Sequence, residues 1–361
     1  MPVAANRLDW VDAAKGLSII LVVMMHSAYG VGEDLNGTGV LHYVIGWATP
    51  FRMPEFFLIS GLFLAAVIAR PWAAYADRRI VHYLYFYALW AVLQIAFKVG
   101  LGTGDIGSVA TQIAWAVIEP YGVLWFIYML AVYSLAAKLL YTFKVPHWAA
   151  LAVAAALQIF PVTTGITLID YFAAYFVYFY AGYAFAPLVF RLVASAEGSA
   201  FWAALALVAY AVIEGYLVFA GGSEVQPRHM LMGYAALPVL HLVLGFAGSL
   251  AICITAALLV KLPWMGWLRW LGEHSIVVYL SFSIPMAASR TLLLKTGLIT
   301  DVSTVSIIVM LTALLSPLVL YWLIQKTGWG KFLFERPAWA HIPGTPGSRS
   351  YVKPAAVQPA E

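Results

Sequence analysis

Residues 12–26, which decide the fold class, read Asp-Ala-Ala-Lys-Gly-Leu-Ser-Ile-Ile-Leu-Val-Val-Met-Met-His. Charge is confined to the start, at Asp12 and Lys15, and an apolar run then continues to the imidazole of His26. As a helix, the stretch from Lys15 to His26 covers roughly 16 Å, about half of the ~30 Å hydrocarbon core of a bilayer. The stretch therefore predicts a transmembrane helix with a buried histidine. Because polar groups are costly inside the hydrocarbon core, His26 is a candidate functional residue.

The composition extends this prediction to the whole chain. Of its 361 residues, 63% are hydrophobic and only 10% are charged, whereas soluble domains carry about 25% charged residues. Apolar segments long enough to cross a bilayer lie at about 14–31, 43–68, 80–100, 122–143, 147–165, 168–190, 199–220, 233–260, 272–294 and 303–325. The second is expected to be kinked or re-entrant because it contains Pro50 and Pro54. The prediction is an all-α, polytopic membrane helix bundle of about ten spans.

The basic residues give this bundle an orientation. With a cytoplasmic N-terminus, roughly three-quarters of the Lys and Arg residues fall at cytoplasmic helix ends, as the positive-inside rule requires. Both termini are therefore predicted to be cytoplasmic, and the scattered charge argues against nucleic-acid binding. Residues 1–336 are predicted to form one integral-membrane domain. Residues 337–361, which contain Pro, Gly and Ser without apolar periodicity, are predicted to be a disordered cytoplasmic tail.

A second polar group lies in the second apolar segment, within Phe-Arg-Met-Pro-Glu-Phe-Phe-Leu-Ile-Ser-Gly at 51–61. Arg52 and Glu55 are three positions apart and can share one helix face. One interpretation is a structural ion pair. The functional alternative is that Glu55 orients or polarises His26, or that Arg52 holds an anionic group of a substrate. The small residues that end the motif are expected to let two helices approach closely.

Two further sets of residues could touch a ligand. Arg78 and Arg79 lie where the third segment enters the bilayer, and they are either ordinary positive-inside charge or a phosphate site, since arginine binds phosphate bidentately. Tyr121 and Trp125 open the fourth segment and are either interfacial belt aromatics or a platform on which a sugar stacks. No zinc-type spacing, P-loop or nucleophile elbow occurs in the sequence, and no metal site is expected.

Three motifs resemble the membrane-bound acyltransferase-3 family, the integral-membrane O-acyltransferases of bacterial surface glycans. Residues 12–16 followed by His26 resemble its first-helix motif, in which the family usually has arginine where this chain has Lys15. Residues 51–61 resemble its Met-Pro-x-Phe-Phe-x-x-Ser-Gly segment, and residues 124–127 resemble its Leu-Trp-Phe-Leu segment. Together the motifs and the predicted spans extend the resemblance over most of the chain.

The resemblance implies an enzyme of the bacterial inner membrane. It would move an acyl group, with acetyl expected, from cytoplasmic acyl-coenzyme A to a hydroxyl of a cell-envelope glycan, with no further cofactor. His26 would then be the general base or a transient acyl carrier, and Glu55 would fix its tautomer. Lys15, Arg78 and Arg79 would hold the phosphates of the donor.

A transporter or flippase for a glycan or small organic acid is the alternative function. His26, Arg52 and Glu55 would then form a polar pathway through the bilayer, together with Glu214 and His241, which are candidates to pair with each other. The first-helix motif and the motif around Glu55 favour the enzyme. Arg52 is expected either to contact the acceptor substrate or to have a structural role.

Overall fold

The computed structural model describes residues 8–100 and 105–351, and these residues are almost entirely helical. Its helices are α1 (Asp9–Leu35), α2 (Val40–Ala48), α3 (Arg52–Leu62), α4 (Ala65–Ile68), α5 (Trp72–Gly100), α6 (Ile106–Trp115), α7 (Trp125–Thr142), α8 (His147–Ile159), α9 (Thr167–Ala184), α10 (Ala186–Gly198), α11 (Ala200–Phe219), α12 (Pro238–Leu259), α13 (Gly266–Glu273), α14 (Ser275–Ser281), α15 (Ser283–Thr296) and α16 (Val302–Thr327). Two short strands, β1 (Glu224–Val225) and β2 (Met230–Leu231), pair antiparallel in the loop before α12. The chain divides into a first unit, residues 1–65 with 146–323, and a second unit, residues 66–145 with 324–361. The all-α prediction is confirmed.

The predicted count of about ten membrane spans is not confirmed. Within the described part of the chain, six helices are long and apolar enough to cross a bilayer: α1, α5, α7 with the turn before it, α11, α12 and α16. Two bent pairs, α9–α10 at 74° and α14–α15 at 55°, bring the count to eight if each pair is one span. The helix α8 is shorter than these, at 13 residues.

The apolar segment predicted at 43–68 is the clearest departure. It is not one helix but three, α2, α3 and α4, with a turn around Pro50 between the first two. Proline has no N–H to continue the helical hydrogen-bond ladder, which explains the break. The predicted kink is therefore confirmed. α3 begins at Arg52, directly after this turn.

Glycines allow the helices of the first unit to touch through their backbones. α3 packs against α9, and a Cβ atom on Gly61 would overlap the carbonyl oxygen of Phe179. α1 packs against α12 and α13, and a Cβ atom on Gly272 would overlap the carbonyl oxygen of Asp12. The close helix approach predicted for the motif that contains Gly61 is therefore confirmed. These crossings fix the helices that carry the charged residues described below.

In the second unit, Asp77 on α5 holds the segment that follows α16. Its buried carboxylate accepts hydrogen bonds from Arg336 Nη2 at 2.6 Å and from the Ile342 N–H at 2.7 Å, and His341 Nδ1 lies 3.0 Å away. A helical turn at Ala338–Ala340 lies between Arg336 and the other two contact residues. The prediction of a disordered tail is thus corrected for the described part of this segment, because a buried carboxylate needs donors and the segment supplies them. The rest of the predicted tail lies outside the described residues.

Candidate functional site

Two charged side chains lie buried in the first turn of α3. Arg52 is 9% exposed and Glu55 is fully buried. They are close enough to interact electrostatically, as their spacing predicts. Neither carboxylate oxygen of Glu55 accepts a hydrogen bond within the described residues, and the Nε and Nη1 atoms of Arg52 donate none. The two side chains therefore lie near each other without forming a hydrogen-bonded salt bridge.

Side chains of three elements surround Arg52. The hydroxyl of Tyr29 on α1 lies within hydrogen-bonding reach of both Arg52 and Thr49. Thr49 donates its own hydroxyl hydrogen to the carbonyl oxygen of Ile45 at 2.8 Å, so it can serve Tyr29 only as an acceptor. Tyr175 on α9 is the third neighbour and interacts with the guanidinium electrostatically. Arg52 is thus enclosed by two tyrosines, each of which remains partly exposed.

Glu55 lies beside Ser18 of α1 and is not hydrogen-bonded to His26. The hydroxyl of Ser18 donates to the carbonyl oxygen of Ala14 at 2.8 Å and also lies within hydrogen-bonding reach of the Glu55 carboxyl group. The half-buried ring of His26 instead packs 5.5 Å, centroid to centroid, from Phe282 at the bend between α14 and α15. A direct Glu55–His26 hydrogen bond, one form of the predicted orienting role, is therefore absent from this structure.

His42 is a buried polar residue that the sequence did not single out. The N–H of Gly39 donates to its Nδ1 at 3.1 Å, so Nε2 must carry the proton and donate to the carbonyl oxygen of Pro227 at 3.1 Å. The ring lies 5.7 Å from that of Tyr29. Burial lowers the pKa of His42, since the charged form loses solvation there. Its bond to the N–H of Gly39, the N-cap residue of α2, is one half of a capping box, and because Gly39 has no side chain to form the other half, the sequence offers no capping-box motif there.

The pairing of Glu214 with His241 that the sequence suggested is not formed. Both oxygens of Glu214 and the Nδ1 atom of His241 are buried without a hydrogen-bond partner in the described chain. Glu214 instead lies close to Tyr210, one helical turn earlier on α11. Both residues lie on the helices predicted to carry them, Glu214 on α11 and His241 on α12.

The remaining predicted site residues divide between the two units. In the first unit, Lys15 Nζ lies 3.3 Å from Asp12 Oδ1, an ion pair within one helical turn. The second unit contains Arg78, Arg79, Tyr121 and Trp125. Arg79 donates to the hydroxyl of Tyr83 at 3.2 Å, and the Tyr121 N–H donates to the hydroxyl of Tyr87 at 3.1 Å. Trp125 packs edge-on against Phe126.

Within residues 8–100 and 105–351, no three His, Cys, Asp or Glu side chains are grouped so that they could hold a metal ion.

The apolar helices and the charges buried among them define a multi-pass membrane protein with a polar interior site. The chain belongs to a family of acyltransferase domains, whose sequence profile matches residues 8–322. It is also 34% identical over 92 residues to the inner membrane protein YcfT of Escherichia coli (strain K12), which is 22% of this chain and 25% of that protein. The chain thus covers a quarter of the length of this relative. No solved structure matches.

Proposed function

We propose that the protein is an O-acyltransferase of the bacterial inner membrane. It moves an acyl group, acetyl in the simplest case, from acyl-coenzyme A to a hydroxyl of a cell-envelope glycan. Membership of the acyltransferase family supports the transfer reaction, and the similarity to an inner membrane protein supports the location. The observation that carries the proposal is the half-buried imidazole of His26 on α1, a helix that also contributes Tyr29 and Ser18 to the surroundings of Arg52 and Glu55.

A neutral imidazole at His26 can act as the general base. It takes the proton of the acceptor hydroxyl while that oxygen attacks the thioester carbonyl, and the proton then goes to the departing thiolate. If His26 instead carries the acyl group, the thiolate leaves first and the hydroxyl attacks the acyl-imidazole afterwards. Contact with Phe282 restricts the ring in either case. Glu55 makes no hydrogen bond to His26 in this structure, so we assign it to the surroundings of Ser18 and Arg52 and not to the imidazole.

The donor is proposed to be held through its phosphates by Arg78 and Arg79. Arg78 is exposed, and guanidinium groups match phosphate oxygens in pairs. Lys15 is a weaker candidate than the sequence suggested, because Asp12 already partly neutralises its charge. Tyr121 and Trp125 are each half-buried, which leaves part of each aromatic ring for a sugar to stack on.

The substitution His26→Ala tests this proposal directly. Purified protein in nanodiscs is incubated with radiolabelled acetyl-coenzyme A, and label released or transferred to glycan is counted. Loss of a general base is expected to reduce the rate by about 10²–10⁴-fold. His229→Ala, which changes an exposed histidine, serves as the control and is expected to retain full activity. Activity of the His26 variant at the wild-type level would remove His26 from the mechanism.

A transporter or flippase is the second candidate function. The observation that favours it is that both carboxylate oxygens of Glu214 and the Nδ1 atom of His241 are buried without a hydrogen-bond partner in the described chain. Polar groups inside a membrane often mark a substrate path. Reconstituted vesicles separate the two functions. An enzyme consumes acyl-coenzyme A, whereas a transporter moves a labelled glycan across the bilayer and leaves the thioester intact.

A further inference from the structure

The guanidinium group of Arg52 is buried with donors that no part of the described protein uses. The residue is only 9% exposed, and its Nε and Nη1 atoms have no hydrogen-bond acceptor within the described residues. A guanidinium stays charged at every physiological pH, so it cannot reduce this cost by losing a proton. Leaving such donors unsatisfied is expensive, and more so for charged than for neutral groups. The arrangement indicates a site that an external acceptor completes.

The neighbouring groups of the protein do not supply this acceptor. Glu55 is the nearest carboxylate on the same helix, but neither of its oxygens accepts a hydrogen bond. The hydroxyl of Tyr29 lies within hydrogen-bonding reach of Arg52 and Thr49, so it can accept one N–H of the guanidinium, but Nε and Nη1 of Arg52 remain without an acceptor in the described chain. Tyr175 contributes a second aromatic wall. Because Tyr29 and Tyr175 are partly exposed, a ligand can approach along these rings.

The charge of the site selects the kind of ligand. Arg52 supplies one positive charge, and the N-terminus of α3, where it lies, adds the positive end of a helix dipole. A doubly charged phosphate would leave one negative charge unmatched by the single guanidinium of Arg52 in this buried region. A carboxylate carries a single charge and can accept more than one N–H. It therefore matches Arg52 better.

We propose that Arg52, enclosed by Tyr29 and Tyr175, binds a carboxylate of the substrate. This inference rests on the proposed function, because it names the class of substrate that the acyltransferase site accepts. The carboxylate has two possible sources. It belongs either to an acidic sugar of the acceptor or to an acyl group that carries a second carboxyl.

Binding measurements on the intact protein in nanodiscs test this subsite without relying on turnover. Two probe pairs are compared: glucuronic acid with glucose, and succinyl-coenzyme A with acetyl-coenzyme A. In one pair the carboxylate-bearing probe is expected to bind about 10- to 100-fold more tightly, as hydrogen bonds to a charged group imply. The pair that shows the difference identifies the source of the carboxylate. Equal affinity within both pairs would overturn the proposal.

The variant Arg52→Gln then assigns the difference to this residue. It is expected to lose the preference for the carboxylate probe while binding of the neutral probe is unchanged. Arg228→Gln, which changes an exposed arginine paired with Glu33, is the control and should keep the preference. The preference should also persist in His26→Ala, so loss of acyl transfer and loss of this subsite are separate results. If the Arg52 variant does not fold, the wild-type comparison still decides the proposal.

Discussion

The crossing of α1 and α13 can be perturbed by a single methyl group. A Cβ atom on Gly272 would overlap the carbonyl oxygen of Asp12 and lie 2.9 Å from the nitrogen of Gly16. Both are backbone atoms, so no change of side-chain rotamer relieves the overlap. Gly266 lies on the same helix, and a Cβ atom there would meet nothing within 4 Å. Gly272→Ala and Gly266→Ala therefore form a matched pair that separates the helix crossing from helix propensity.

The expected magnitudes follow from two opposing effects. Replacing glycine by alanine favours a helix by up to ~1 kcal/mol, and less at Gly266 because it is the first residue of α13. Forcing a methyl into a closely packed crossing costs about 1–3 kcal/mol. We expect Gly272→Ala to lower the free energy of unfolding by roughly 1–2 kcal/mol. Gly266→Ala is expected to leave it unchanged or raise it slightly.

Thermal unfolding in nanodiscs, followed by tryptophan fluorescence, measures this difference. A lower melting temperature is expected for Gly272→Ala alone, together with reduced acyl transfer, because α1 carries both Lys15 and His26. Equal melting temperatures for the two variants would refute the backbone contact between α1 and α13. A loss of stability in both would mean that alanine is unfavourable in α13 for a reason other than the crossing.

Two further predictions concern other contacts. Asp77→Ala leaves Arg336 charged and buried without its carboxylate, so we expect the free energy of unfolding to fall by about 3–5 kcal/mol. The control Asp9→Ala breaks an exposed ion pair with Arg269 and should lower the free energy of unfolding by less than ~1 kcal/mol. Equal losses from thermal unfolding of both variants would contradict the burial of the first pair. His42 has a lowered pKa, so the folded state binds its proton less readily than the unfolded chain does. The contribution of neutral His42 to the free energy of unfolding is therefore fully present above about pH 6.5 and is lost as the pH falls below that value. Melting curves between pH 7.5 and pH 5 should show this loss in the wild type and a smaller one in His42→Gln.

The sequence alone determined the class of the molecule because the relevant signals are local. Long apolar runs specify helices that cross a bilayer, and α1, α5, α7, α11, α12 and α16 arose where such runs lie. The family motifs are likewise read directly from the chain, and the match over residues 8–322 agrees with them. Pro50 gave a local reason for the kink in the second apolar segment. Hydrophobicity did not, however, show that this segment is three helices.

Only the tertiary structure decided the partners of the polar residues. Spacing placed Arg52 and Glu55 on one helix face, but it could not show that Ser18 lies beside Glu55 or that Tyr29 lies beside Arg52. Such contacts depend on the rotation and depth at which packed helices meet, and a small rotation exchanges one neighbour for another. His42 and Pro227 lie 185 positions apart in the chain, and the hydrogen bond between them exists only because packing brings α2 against the loop between β1 and β2.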